Sequence, residues 1–232
     1  MVLLAIFFGL IPGLAWLFFF LKEDAHPEPK KLIALTFVFG MMSAFVALIA
    51  QRLLNGALDK SVLELAAPLS NLHVGYLVVL ALIEEFVKFG AAYFAIHKSA
   101  SFDEPVDAMI YMVAAALGFA TIENLGAVGD SVSGGQTALI ANILTTTSLR
   151  FVGATLLHSL TSGIVGYHWA TGIRQLKPAK YILEGLAIAT VLHTVFNYLI
   201  ISYGNLIYVV VFLVTVGFFV LNDFEKLKLR RV

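Results

Sequence analysis

Residues 32–53 read LIALTFVFGMMSAFVALIAQRL. From Leu32 to Ala50 no residue is charged. As a helix rising 1.5 Å per residue, that run is about 30 Å long, the thickness of a bilayer's hydrocarbon core. The stretch reads as a membrane-spanning helix. Working outward, runs of the same kind occupy 1–21, 73–97, 106–128, 149–171, 182–202 and 204–222. A transmembrane barrel would show strand-length alternating segments instead. The expected fold is all-α: one polytopic transmembrane helix bundle over 1–232, with seven or eight spans. The whole composition agrees. Apolar residues make up 60% and charged residues 13%, with a mean hydropathy of +0.92. Soluble domains are roughly half apolar and a quarter charged.

Several function classes fall away at once. Fifteen acidic and fifteen basic residues give no net charge, which argues against a nucleic-acid partner. The absence of cysteine removes disulfides, thiol nucleophiles, iron–sulfur clusters and cysteine-ligated zinc. The first span has no basic region ahead of it and no small-residue cleavage site before Lys22, so it reads as a helix rather than a signal peptide.

Lysine and arginine set the orientation. With the N-terminus outside, inner loops and the C-terminal tail hold eleven of them, from Lys22 to Arg231. The outer side holds Arg52, Lys60 and Arg150, and Lys88 lies mid-span. The expected topology is N-out, C-in. Trp16 and Trp169 sit near inner span ends, where an aromatic belt is expected. Residues 54–72 are too polar to span and read as an interfacial segment. Residues 136–148 extend the fifth span or form a separate half-helix.

The informative residues are polar groups inside spans. Span 73–97 carries Glu84, Glu85 and Lys88; span 106–128 carries Glu123 and Asn124. Span 149–171 carries Arg150 and His158, and span 182–202 carries His193 and Asn197. One charge at the bilayer centre costs roughly 2.5–3.5 kcal/mol on insertion scales, so these groups must face the bundle interior. Glu84 and Lys88 share a helix face four residues apart, as do His193 and Asn197. Glu123 and Arg150 lie toward the same outer side and are placed to pair. Taken singly, a Glu–Lys ion pair or a histidine between helices is ordinary structural glue. Ser159, Ser162, Gly163 and Gly166 read as close-packing positions. Co-occurrence of three carboxylates, two histidines, two asparagines, a lysine and an arginine argues for chemistry.

Shielded carboxylates and imidazoles suit the activation of water. A His and an Asn on one face can donate to an oxyanion. The same Glu and His types can instead hold a divalent metal such as Zn2+, with Glu84, Glu123, His158 and His193 as candidate ligands. These residue types leave both mechanisms open. The sequence contains no Gly-x-Ser-Gly nucleophile, no aspartyl pair and no His-Glu-x-x-His zinc helix. A proton- or ion-coupled transporter also uses buried Glu, Lys and His, but no internal repeat is visible. A catalytically silent scaffold for a partner's helix is a third reading, against which the intact motifs argue.

Glu84-Glu85-x-x-Lys88, Phe119-x-x-x-Glu123-Asn124, His158 and His193-x-x-x-Asn197 occur in that order on four helices. In these motifs the chain resembles the PrsW family of intramembrane proteases. It is more distantly similar to type II CAAX prenyl proteases and Abi membrane proteins. Asp24-Ala25-His26-Pro27-Glu28-Pro29 resembles the family's acidic, proline-containing first loop. The CAAX relatives have Phe-x-x-x-His where Glu123 stands, which makes a prenyl-protein substrate less fitting.

The resemblance implies a multi-pass endopeptidase of a prokaryotic cytoplasmic membrane, acting on membrane-anchored proteins such as anti-sigma factors. It implies Glu84 as the group activating water, supported by Glu85 and Glu123, with His158 assisting or binding metal. His193 and Asn197 would hold the oxyanion, and Lys88, Asn124 and Arg150 would orient the set. The family's chemistry is described both as glutamic and as metal-dependent.

Overall fold

The apolar runs become helices because a backbone in lipid must satisfy its own hydrogen bonds. The computed structural model describes residues 2–24, 26–57, 70–132, 139–203 and 205–229. Among these there are eight α-helices and no strand: α1 Val2–Phe20, α2 Lys30–Ala57, α3 Ser70–Ile96, α4 Asp107–Val132, α5 Leu139–Val152, α6 Ala154–Arg174, α7 Pro178–Tyr203 and α8 Leu206–Leu229. A single 3-10 turn, Leu21–Glu23, follows α1. Six segments are long and apolar enough to cross a membrane. The other expected span, 73–97, corresponds to α3, which carries three charges, Glu84, Glu85 and Lys88. Of the interfacial segment expected at 54–72, residues 58–69 lie outside the described residues, and so do residues 136–138.

The expected span 149–171 is not one helix. α5 ends at Val152 and α6 begins at Ala154, with Gly153 between them at φ −98°, ψ −99°. The apolar segment Ile140–Arg174 has 35 residues. Unbroken, it would be about 52 Å long, well beyond the bilayer core. A β-carbon on Gly153 would sit 2.7 Å from the Leu149 carbonyl oxygen, so the break suits glycine. Residues 139–148 therefore belong to a separate shorter helix, one of the two arrangements expected.

α4 is the centre of the bundle. Residues 108–117 are all buried, and α1, α2 and α6 pack against it. The run Ala114-Ala115-Ala116 with Gly118 lets α2 approach to backbone contact. A β-carbon on Gly40 would come within 1.9 Å of the Ala115 carbonyl oxygen, and one on Gly118 within 1.9 Å of that of Phe37. Ser159, Ser162, Gly163 and Gly166 on α6 are buried against the same core, as their close-packing reading requires. Gly118→Val is expected to cost about 3 kcal/mol or more, because the obstruction is backbone rather than a movable side chain. A thermal melt of the detergent-solubilised variant, read against Gly126→Ala in open space, checks it.

Outer faces are apolar. Ile207, Val211, Val214 and Phe218 form an exposed stripe along α8, at the spacing of one helix face. The tryptophans do not form a belt. Trp169 is buried among Phe89, Tyr93 and Phe102, and Trp16 donates to the Phe151 carbonyl at 2.8 Å while stacking on its ring. Each indole fills a helix interface, where its apolar area and N–H are both used.

The first loop folds back on itself. Asp24 accepts from the backbone N–H of His26 and of Glu28, and Pro29 starts the turn into α2. Burial pushes the Asp24 carboxyl above its usual range, against those two hydrogen bonds.

Candidate active site

α3 delivers the central groups. Glu85 and Lys88 are fully buried, three residues apart on one face, with Lys88 Nζ 2.7 Å from Glu85 Oε1. The lysine's carboxylate partner is thus Glu85 and not Glu84, which shares its face by i,i+4 spacing. Both spacings bring side chains together on a helix. What decides is the rest of the environment. Glu85 Oε1 also meets His193 Nδ1 at 2.8 Å and accepts from Thr161 Oγ1 at 3.1 Å. One oxygen so crowded with donors is where the ammonium belongs.

Glu84 points another way. Its Oε1 accepts from Gln51 Nε2 of α2 at 3.0 Å. Its Oε2 is buried and has no hydrogen-bond partner, and lies 3.6 Å from His193 Nε2. From α4, Glu123 Oε2 meets His158 Nε2 at 2.9 Å and Arg150 Nη2 at 3.0 Å. The pairing of Glu123 with Arg150 is the one their positions led us to expect. Asn124 accepts from Arg150 Nε and donates to Thr155 Oγ1 at 3.0 Å. Lys88 Nζ closes the network 3.0 Å from His158 Nδ1. The ring of Phe119, one turn before Glu123, packs against both His158 and Lys88, which gives the Phe-x-x-x-Glu spacing a physical meaning.

Eight of the nine site residues named from the sequence converge here. Asn197 does not: it is half-buried and makes no hydrogen bond among the described residues. It lies one turn, roughly 6 Å, beyond His193 along α7. Gln51, Thr155 and Thr161 join the site unannounced. Thr155 and Thr161 sit three residues either side of His158, a spacing that could have flagged them. Gln51 ends an apolar run and carries no such signal.

The hydrogen bonds fix the imidazoles. Lys88 can only donate, so His158 accepts at Nδ1 and donates from Nε2 to Glu123. Glu85, ionised beside Lys88, can only accept, so His193 carries a proton on Nδ1, and in the neutral ring Nε2 is then an acceptor. That lone pair faces the unpartnered Glu84 Oε2. Two acceptors facing one another at 3.6 Å call for a cation or a proton between them. Charge agrees: Glu84, Glu85 and Glu123 outnumber Lys88 and Arg150 by one.

The donor set fits a metal ion. Glu84, His158 and His193 each offer one ligand atom, all within 4.8 Å of one another. Two ligands about 2 Å from a tetrahedral zinc ion lie roughly 3.3 Å apart, close to the Glu84–His193 separation. His158 could join only by exchanging its contact with Lys88 or Glu123. Glu123, the fourth candidate ligand, is instead held by His158 and Arg150. Glu85 and Glu123 stand behind the histidines as carboxylates do behind metal-bound imidazoles.

A model of the family described as PrsW family intramembrane metalloprotease matches residues 28–221. Protease PrsW of Geobacillus kaustophilus (strain HTA426) is 30% identical over 196 residues, covering 84% of this chain and 78% of that protein. Protease PrsW of Bacillus subtilis (strain 168) is 26% identical over 223 residues, covering 94% and 93%. Protease PrsW of Oceanobacillus iheyensis (strain DSM 14371 / CIP 107618 / JCM 11309 / KCTC 3954 / HTE831) is 24% identical over 198 residues, covering 85% and 83%. No solved structure matches. With a family match over most of its length, and the quoted motifs gathered on packed helices, the chain belongs to the PrsW family and is a multi-pass intramembrane protease.

Proposed function

We propose that the chain hydrolyses a peptide bond of a membrane-anchored protein at the Glu84–His158–His193 centre, in a prokaryotic cytoplasmic membrane. The observation that carries this reading is the unpartnered Glu84 Oε2 facing His193 Nε2 at 3.6 Å in a buried polar site. Gln51 anchors the other oxygen of Glu84, so Oε2 is left to orient a water molecule and take its proton. Glu85, braced by Thr161, holds His193 in place, and Glu123, braced by Arg150, holds His158. A divalent metal bound by Glu84, His158 and His193 would polarise the scissile carbonyl and acidify the water. The Lys88 ammonium balances Glu85 and so leaves Glu84 as the carboxylate available for chemistry.

A neutral His193 with its proton on Nδ1 cannot donate from Nε2 to an oxyanion. This favours a ligand role for His193. Anti-sigma-factor-like single-pass proteins are the substrates we infer. Glu123 and Arg150 are the most exposed members of the site, at 31% and 22%, and lie toward the side read as outer. The scissile bond is therefore expected near the outer end of the substrate's span.

The test is co-reconstitution of the purified chain with a single-pass substrate in liposomes, the products being mapped by mass. A cut near the outer membrane boundary is the expected result. An uncut substrate, with ion flux through the same liposomes, would replace this reading by the transporter.

A further inference from the structure

The acidic first loop has no part in the centre just described, yet it is held in a specific place. Tyr111 of α4 donates to Glu28 Oε2. Carboxylate oxygens of Glu28, Asp103 and Asp107 all lie within 4.8 Å of one another. Asp107 is 1% exposed. Its Oδ2 accepts from the backbone N–H groups of Asp103 and Glu104, at 3.0 and 2.7 Å. Its Oδ1 is buried and has no hydrogen-bond partner. A buried carboxylate oxygen left bare costs about 1–3 kcal/mol, more when charged, unless something meets it. The nearby imidazole of His26 is engaged by Glu104 at 2.9 Å.

Like charges make the arrangement worse. Burial, and then the neighbouring charges of Asp24 and Asp103, push Glu28 above its ordinary range against the hydrogen bond from Tyr111. Three carboxylates from two loops and the first turn of α4 converge although each repels the others. A hard divalent cation resolves this in one step, because it takes oxygen ligands only and accepts several carboxylates.

We propose that Glu28, Asp103 and Asp107 form a second cation site, for Mg2+ or Ca2+, that clamps the first loop to the start of α4. It is separate from the hydrolytic centre: Asp107 and Glu123 are about 24 Å apart along α4. By the lysine and arginine distribution it lies at the inner face. Its donors are all oxygen, unlike the imidazole-containing centre, so the two sites select different ions. The clamp ties the α1–α2 hairpin to the buried central helix.

Calorimetric titration of the chelator-stripped full chain in detergent, with Mg2+ and with Ca2+ alone, tests this. Wild type is expected to bind one of these ions and to melt at a higher temperature in its presence. Asp107→Asn is expected to abolish that binding, and Glu28→Gln to weaken it at least tenfold. Glu84→Gln is expected to leave it unchanged, which keeps this result independent of the hydrolytic reading. If Asp107→Asn does not fold, Asp103→Asn and Glu28→Gln carry the comparison. The proposal is overturned if wild type binds neither ion, as it would if the carboxyls shared a proton, or if the loop variants bind as wild type does.

Discussion

Glu84→Gln is expected to lower kcat at least a thousandfold while the protein folds as well as wild type. The substitution keeps the shape of the side chain and its reach toward Gln51. It removes the basicity of Oε2, the carboxylate oxygen that no protein group occupies. General-base catalysis alone contributes typically 10²–10⁴-fold, and loss of a metal ligand would add to that. In chelator, stability should hold or rise, because a buried carboxylate without a protein cation of its own has been neutralised. Cleavage of a single-pass substrate, followed alongside a thermal melt, separates the two effects. Activity within tenfold of wild type, at an unchanged melting temperature, would remove Glu84 from the chemistry.

The largest stability effect is expected at Lys88. Lys88→Met keeps most of the volume and the contact with Phe119 but leaves Glu85 charged, fully buried and without its cation. Breaking a buried pair in this way costs about 3–5 kcal/mol. For a chain of this size that lowers the melting temperature by roughly 10 °C. The combined Glu85→Gln and Lys88→Met variant should recover most of the loss, since both members of the pair are then neutral. The recovered protein should still cleave poorly, because Glu85 no longer fixes the His193 tautomer. If Lys88→Met melts with wild type, the pair is not the electrostatic keystone that its geometry implies.

These two residues also show how far the sequence could be read. Long uncharged runs made the helices plain, because within a single segment only a helix satisfies its own backbone groups in lipid. Charge inside such runs singled out Glu84, Glu85, Lys88 and Glu123, since lipid exposure of each would be costly. Partner choice was not legible. Spacing allows Lys88 to reach Glu84 or Glu85 equally well, and His193 and Thr161, more than seventy residues away in the chain, settle it. Asn197 shares a face with His193, yet among the described residues its side chain has no hydrogen bond to the network. Gln51 was invisible because a single amide at the end of an apolar run carries no pattern. The break at Gly153 was half visible. Hydropathy runs unbroken through it, and the sequence left residues 136–148 either as an extension of the fifth span or as a separate half-helix.

In the proposed centre, Glu84 Oε2 and a neutral His193 share one cation. Metal analysis of the purified chain measures this directly. One transition-metal ion per chain is predicted in wild type, retained in Asn197→Ala, lost in His193→Ala, and removed by chelator together with cleavage activity. A metal-free wild type that cleaves at full rate in chelator would contradict it and leave Glu84 working alone.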